Sequence, residues 1–259
     1  LSTPNGVGGQ YYDLYIKAES GENEFNPIKL RWDVHPERDD AWFEKETKNL
    51  SEKQIAQELL CDFAASGETF LKSEDIEYLR YMVKSPMERW GPEMACWQWK
   101  YPLTEHNYVI SADVSRGDSK DYSAFHVIDT TESEVVCEFK GKIPPDQFAL
   151  VLIEASKRYN KATICPESNT YGYAVLMKLK ELKCQEIYFE KEKDRINCLY
   201  GDGAISKGGF STQGPSRSKI LTKLEEVLRN NQISIYSSRF YEEMKTFVWK
   251  GNKPQAMRG

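Results

Sequence analysis

The sequence predicts an α/β fold, a mixed sheet flanked by helices. Three observations carry that expectation. First, three β-rich runs follow one another at about 108–114, 122–129 and 134–140, separated by short polar turns. Second, apolar segments beyond residue 144 alternate between helical and strand period, giving helix 145–158, strand 161–165, helix 171–183 and strand 186–189. Third, the order of antiparallel runs followed by strand–helix–strand units places helices on both faces of one sheet.

Each element has a local reason. Pro144-Pro145 starts the helix 145–158, because proline is tolerated in a first helical turn. Glycines between Gly201 and Gly214 suggest a β-hairpin, followed by helix 216–230, strand 232–236 and a last helix at 238–247. Upstream, residues 1–70 read as a loop and strand remnant followed by helices. Asp39-Asp40-Ala41-Trp42 begins one helix, and Ser51-Glu52-Lys53-Gln54 opens another with a capping-box pattern. The apolar face of that second helix is Ile55, Leu59, Leu60 and Phe63, and Ala64 to Gly67 ends it. Residues 71–100 carry mixed charge, two prolines and three tryptophans (90, 97, 99) and read as a connector, its tryptophans packed rather than stacked on bases.

The chain has 259 residues, 40% hydrophobic and 12% aromatic, enough for a sizeable core. No apolar run approaches the roughly 20 residues of a membrane span. The start, Leu1-Ser2-Thr3-Pro4-Asn5-Gly6, is neither an initiator methionine nor a secretory signal, so the chain reads as a piece of a longer protein. Six scattered cysteines without a C-x-x-C argue against structural zinc and for a reducing, cytosolic compartment. The net charge of −5 is not that of a protein coating nucleic acid. Residues 191–230 are an exception, with eight basic against five acidic side chains. That balance fits a solvated helix face, or a DNA-facing strip if a metal site accompanies it.

Two acids stand where such a site would be. Asp113 ends the run Tyr108 to Val114, and Glu167 follows the run Ala162 to Cys165. Strand tips are where α/β sheets place ligands, and paired carboxylates suit a hard cation such as Mg²⁺. Each also has a plain reading, Asp113 as a turn initiator and Glu167 as a loop acid before a helix. Phosphodiester cleavage gives clustered carboxylates a purpose, since two ions roughly 4 Å apart activate water and stabilise the leaving oxygen. Other catalysts are weakly represented. His35, His106 and His126 are isolated, no G-x-S-x-G occurs, and no G-x-x-x-x-G-K-[ST] is present. Cys165 is expected on the core face of its strand. Arg217 and Lys219, at a helix start, and Lys207 in the glycine-rich stretch are candidates for phosphate contact or for simple solvation.

Together, "ISADVSRGDSKDYSAFHVID", "ICPESNTYG" and "GGFSTQGPSRSKILTKLEEVL" resemble the nuclease domain of the large terminase subunit of tailed bacteriophages. "LSTPNG" with "QYYDLY" resembles the coupling segment of that protein's packaging ATPase, and "SEKQIAQELLCDF" resembles the ATPase's C-terminal region. The resemblance runs over essentially the whole chain. It implies a ribonuclease-H-like mixed sheet preceded by a mainly helical remnant of a P-loop ATPase domain. The division it implies is 1–70 for the ATPase part, 71–100 for the connector and 101–259 for a nuclease domain lacking its C-terminal end.

The implied activity is metal-dependent cutting of concatemeric double-stranded DNA during packaging in the host cytoplasm. Mg²⁺ or Mn²⁺ would be the cofactor, two ions in a complete site, and the portal protein and small terminase subunit the partners. Asp113 and Glu167 match the family's first two metal-binding acids. Its third, an Asp-Asp pair opening a final helix after a stretch like "FVWKGNKPQAMRG", has no match here; Glu242 and Glu243 lie on a different element. Asp121 reads as a turn acid or a neighbour of the site. Two alternatives stay open: another ribonuclease-H-like nuclease of resolvase or transposase type, and a non-catalytic module that docks on DNA or the portal.

Overall fold

The computed structural model describes residues 2–6, 9–63, 69–118, 121–201, 203–250 and 253–256. They form two compact units, one of residues 1–81 with 238–259 and one of residues 82–237.

The first unit begins with helix α1 (Gly9–Glu19), where the sequence suggested a loop and strand remnant. Tyr11, Tyr12 and Tyr15 sit within one helical turn of each other and all pack on Phe63, at ring separations of 5.2–5.4 Å. Helix α2 (Asp40–Thr47) is capped by Asp39, whose carboxylate accepts from the Trp42 amide at 2.8 Å. Helix α3 (Glu52–Gln54) carries the expected capping box: the Gln54 amide donates to Ser51 Oγ and the Ser51 amide to Gln54 Oε1. It then widens into a π-turn over Ile55–Leu59, burying Ala56 and Leu59. The end expected at Ala64–Gly67 lies outside the described residues. Helix α4 (Ser73–Met82) follows.

The second unit is built on a seven-stranded sheet. The segment expected as a connector supplies two of its strands, β1 (Glu88–Trp90) and β2 (Cys96–Gln98). They were hidden because each is three residues long, and the turn between them is opened by Pro92. Trp90 and Trp99 are buried, and Trp99 Nε1 donates to the Lys84 carbonyl at 2.9 Å. Next come β3 (Tyr108–Asp113), β4 (Ser123–Asp129), β5 (Glu134–Gly141) and β6 (Thr163–Pro166). The order across the sheet is β1-β2-β5-β4-β3-β6, and β7 (Ser234–Ile235) adds to β5. β3–β6 and β5–β7 are parallel and the other pairs antiparallel.

Alternation assigns the two faces. Ile110, Ala112, Phe125, Val127, Phe139 and Ile164 are buried on one face, beneath helix α5 (Pro145–Arg158) and helix α6 (Thr170–Glu181). Phe125, Phe139 and Phe148 form an aromatic centre with ring separations of 5.6–6.2 Å. Each contributes about 1.5–3 kcal/mol by leaving water. Ser111, Asp113 and Cys165 point to the opposite face.

Two expected elements differ, and one helix is additional. Residues 186–189 form no regular strand; Ile187 makes a single parallel bridge to Ile164. In place of a glycine-rich hairpin there is a 3-10 turn, Ile205–Lys207, with bridges from Gly208 to Phe189 and from Phe210 to Glu167. Asp202 lies outside the described residues. Helix α7 (Glu192–Tyr200) was not anticipated, because among its residues only Cys198 is buried and so no apolar stripe announces it. Helix α8 (Gly214–Arg229) closes this unit before β7.

The C-terminal segment returns to the first unit with helix α9 (Ser238–Lys245) and a hairpin of β8 (Phe247–Lys250) and β9 (Lys253–Ala256). Phe70 packs on Phe247 at 5.2 Å, and its amide donates to the Phe247 carbonyl.

Candidate functional site

Strand register delivers the two acids to one place. β3 and β6 run parallel with Ser111 opposite Cys165 and Ala112 opposite Pro166. The Glu167 amide donates to the Ala112 carbonyl at 2.8 Å, which extends the ladder one step beyond β6 and puts Glu167 beside Asp113. Residues at alternate positions share a face, so Ser111, Asp113, Cys165 and Glu167 all open onto one cavity of about 470 Å³. Phe210, Thr212, Arg217, Ile220 and Leu221 complete its lining.

The loop carrying Glu167 is held from several directions. Asn169 caps α6, accepting from the Gly172 amide at 2.7 Å, and its Nδ2 donates to Glu167 Oε2 at 3.2 Å. The Phe210 amide donates to the Pro166 carbonyl and the Ser168 amide to the Phe210 carbonyl. Asn169→Ala is therefore expected to cost about 1 kcal/mol in thermal stability through the lost cap and to loosen Glu167 as well. Thermal melts with and without divalent cation would check this; equal losses in both would show that Asn169 acts on the helix alone.

Asp113 is pushed up to about 6 from its ordinary 3.8. Partial burial is the largest cause; next come the hydrogen bond and charge of Glu167, with a smaller contribution from Asp121. Two carboxylates forced together with a third nearby make a locally unbalanced negative charge. An oxygen-only donor pair of this kind fits a hard divalent cation, which removes the repulsion that raises Asp113. Among the described residues no group of three or more His, Cys, Asp or Glu comes together as a metal site.

The remaining sequence candidates separate. Arg217 lines the cavity with the two acids, while Lys219 is exposed on α8 and does not border it. Lys207 is paired with Asp194 at 2.8 Å. Cys165, expected in the core, lies on the cavity face instead, because Ile164 takes the buried side. Burial pushes its thiol up to about 11, so it stays protonated near neutral pH. His126 is on the same face, its Nε2 3.6 Å from Glu138 Oε2. Ser111 and Cys165 were legible as neighbours by counting two residues back from each acid. Arg217 was not, since nothing local ties a helix start to a strand end about fifty residues earlier.

No protein-family model matches the chain. Solved structures do. The large terminase nuclease from thermophilic phage G20c with bound magnesium superposes with a TM-score of 0.52 at 15% identity, covering 71% of this chain and 88% of that one. The same nuclease with bound cobalt gives 0.52 at 16% identity over 71% and 89%. A third structure of it gives 0.52 at 17% identity over 71% and 90%. The fold is that of a large terminase nuclease. The mixed sheet with flanking helices expected from sequence is thus present in its ribonuclease-H-like form. Among the described residues no helix is long and apolar enough to cross a membrane.

Proposed function

We propose that the chain is part of a viral DNA-packaging terminase large subunit and carries a metal-dependent endonuclease that cuts concatemeric double-stranded DNA. The observation that carries this reading is the pairing of Asp113 and Glu167 at the ends of neighbouring parallel strands, open to one cavity with Arg217. The terminase nuclease fold supports it. The unit of residues 82–237 would be the nuclease, and the segment 1–70 the end of a packaging ATPase domain. Portal protein and small terminase subunit would be its partners in the host cytoplasm.

Asp113 and Glu167 would hold Mg²⁺ or Mn²⁺, with Asn169 orienting the Glu167 carboxylate. A bound ion of this kind supplies Lewis-acid stabilisation of the charge that builds on the phosphate during cleavage. Arg217, which makes no ion pair among the described residues, would bind a phosphate oxygen and fix the scissile group over the acids. A backbone-directed site of this sort reads phosphates, so sequence preference is slight.

A second reading has its own support: with two acids gathered on the cavity among the described residues, the chain would be a docking module for DNA or portal whose nuclease site is incomplete. Nicking of supercoiled plasmid in Mn²⁺ separates the two. Cleavage by the parent and none by Asp113→Ala is the expected result. Cleavage by neither supports the docking reading, and equal cleavage by both removes Asp113 from the chemistry.

A further inference from the structure

The sheet face that holds the two acids continues sideways into a basic ledge. Asp113 on β3 stands opposite Ala124 on β4, and Ala124 opposite Lys140 on β5. Directly opposed residues share a face, so Asp113, Ala124 and Lys140 form one row with only a methyl group in its middle. At the end of that row the ring of Tyr122 is about half exposed. The Lys140 ammonium lies 5.1 Å from its centroid and the Lys142 ammonium 4.8 Å. Two like charges are thereby held at most about 10 Å apart on one aromatic platform. Among the described residues Lys142 makes no ion pair, whereas Arg116, in the turn after β3, is occupied by Asp118 at 2.7 Å.

The ledge is fixed to the acids by the backbone. The Ser115 amide donates to Ser123 Oγ at 3.0 Å, and Ser115 Oγ to the Asp121 carbonyl at 3.2 Å, both within the turn that joins Asp113 to Tyr122. Gly117, at φ +88°, presses that turn on the segment after β5: a Cβ there would stand 2.3 Å from the Ile143 carbonyl oxygen. The turn and the strand end bearing Lys142 therefore keep one spacing.

We infer that Tyr122, Lys140 and Lys142 form a binding ledge for the phosphate backbone of duplex DNA beside the Asp113–Glu167 cavity. This inference rests on the nuclease reading of that cavity. Lys142, exposed on this platform, is the cation that a polyanion of regularly spaced phosphates would meet, and its neutralisation of a phosphate releases counterions. Asp121, exposed at the inner edge of the ledge, keeps the strongest positive potential on its outer side, at Lys142. The ledge would hold the DNA flank and leave the scissile phosphate to the acids.

The test is fluorescence anisotropy with a labelled duplex in EDTA, across a series of salt concentrations. The parent is compared with Lys142→Gln, with Lys140→Gln/Lys142→Gln and with the charge-retaining Lys140→Arg/Lys142→Arg. Every phosphate that a variant no longer neutralises flattens the plot of log affinity against log salt by about 0.9. The double glutamine variant is expected to lose roughly one to two units of slope and about tenfold in affinity at low salt, Lys142→Gln about half of that, and the arginine pair little. Lys142 is exposed, so its variant tests the ledge without disturbing the core. A slope unchanged in the double glutamine variant of a parent that nicks plasmid overturns the ledge and leaves the nuclease. A parent that neither binds duplex nor nicks overturns both. An arginine pair as weak as the glutamine pair overturns the charge argument.

Discussion

Asp113→Asn is expected to silence cleavage by at least about a hundredfold while making the cation-free protein more stable. The two effects have one origin. Asp113 is held at about 6, well above its ordinary 3.8, by partial burial and by the neighbouring Glu167. A carboxylate whose folded pKa is raised destabilises the folded state once it ionises. Two pH units correspond to roughly 3 kcal/mol at about 1.4 kcal/mol each. Asp113 opens onto the cavity, where solvent still reaches it, and screening reduces the gain on neutralising it to about 1 kcal/mol.

The pH dependence follows with a definite sign. The penalty is full above pH 6, shrinks as pH falls through 6, and vanishes below the ordinary value near 3.8, where Asp113 is protonated folded or unfolded. In EDTA the melting temperature of the variant should therefore exceed that of the parent at pH 7, and the gap should narrow towards pH 5. A gap that widens on acidification would show that Asp113 is stabilised as an anion and that its surroundings are not what the cavity shows. Adding Mn²⁺ should raise the parent's melting temperature and leave the variant's nearly where it was.

Gly172→Ala is the second change with a large expected effect, and here the sign turns on competing magnitudes. In the first turn of α6, alanine would ordinarily gain up to about 1 kcal/mol over glycine by helix propensity. A Cβ at Gly172, however, would lie 1.7 Å from the Glu167 carbonyl oxygen and 3.2 Å from Asn169 Oδ1. The loop bearing Glu167 must move, and the clash outweighs the propensity, for a net loss of about 1–3 kcal/mol. The melting temperature should fall by roughly 5 °C. Cleavage should fall further than stability explains, because the displaced residue is one of the two acids. Gly214→Ala at the start of α8, where the new methyl meets nothing within 4 Å, is the matched control and should be neutral. Loss in both variants would point to helix starts in general rather than to the packing of α6 against Glu167.

The contrast between these residues shows what a sequence can disclose. Asp113 and Glu167 were legible because a strand's apolar run ends at each, and period-two alternation then names Ser111 and Cys165 as neighbours. The central strands and the helices around Pro145 and Thr170 carry strong periodic patterns and stand close to where those patterns put them. β1 and β2 were not legible, since three-residue strands owe their form to pairing with β5 rather than to their own pattern. The stretch after Gly201 misled because glycine signals a turn without saying what the turn joins. Arg217 needed tertiary folding to reach the cavity. The apolar run around Cys165 suggests the core for its thiol, although the alternation that buries Ile164 turns it outward.

Because Asp113 and Glu167 sit side by side on paired parallel strands, the distance between them is set by a property every β-sheet shares. Neighbouring strands lie about 4.8 Å apart whatever side chains they carry. The spacing of the acids is thus written in the peptide backbone and not in any packing partner. Core residues behind β3 and β6 can be exchanged over evolutionary time, so long as one face stays apolar, without retuning the gap.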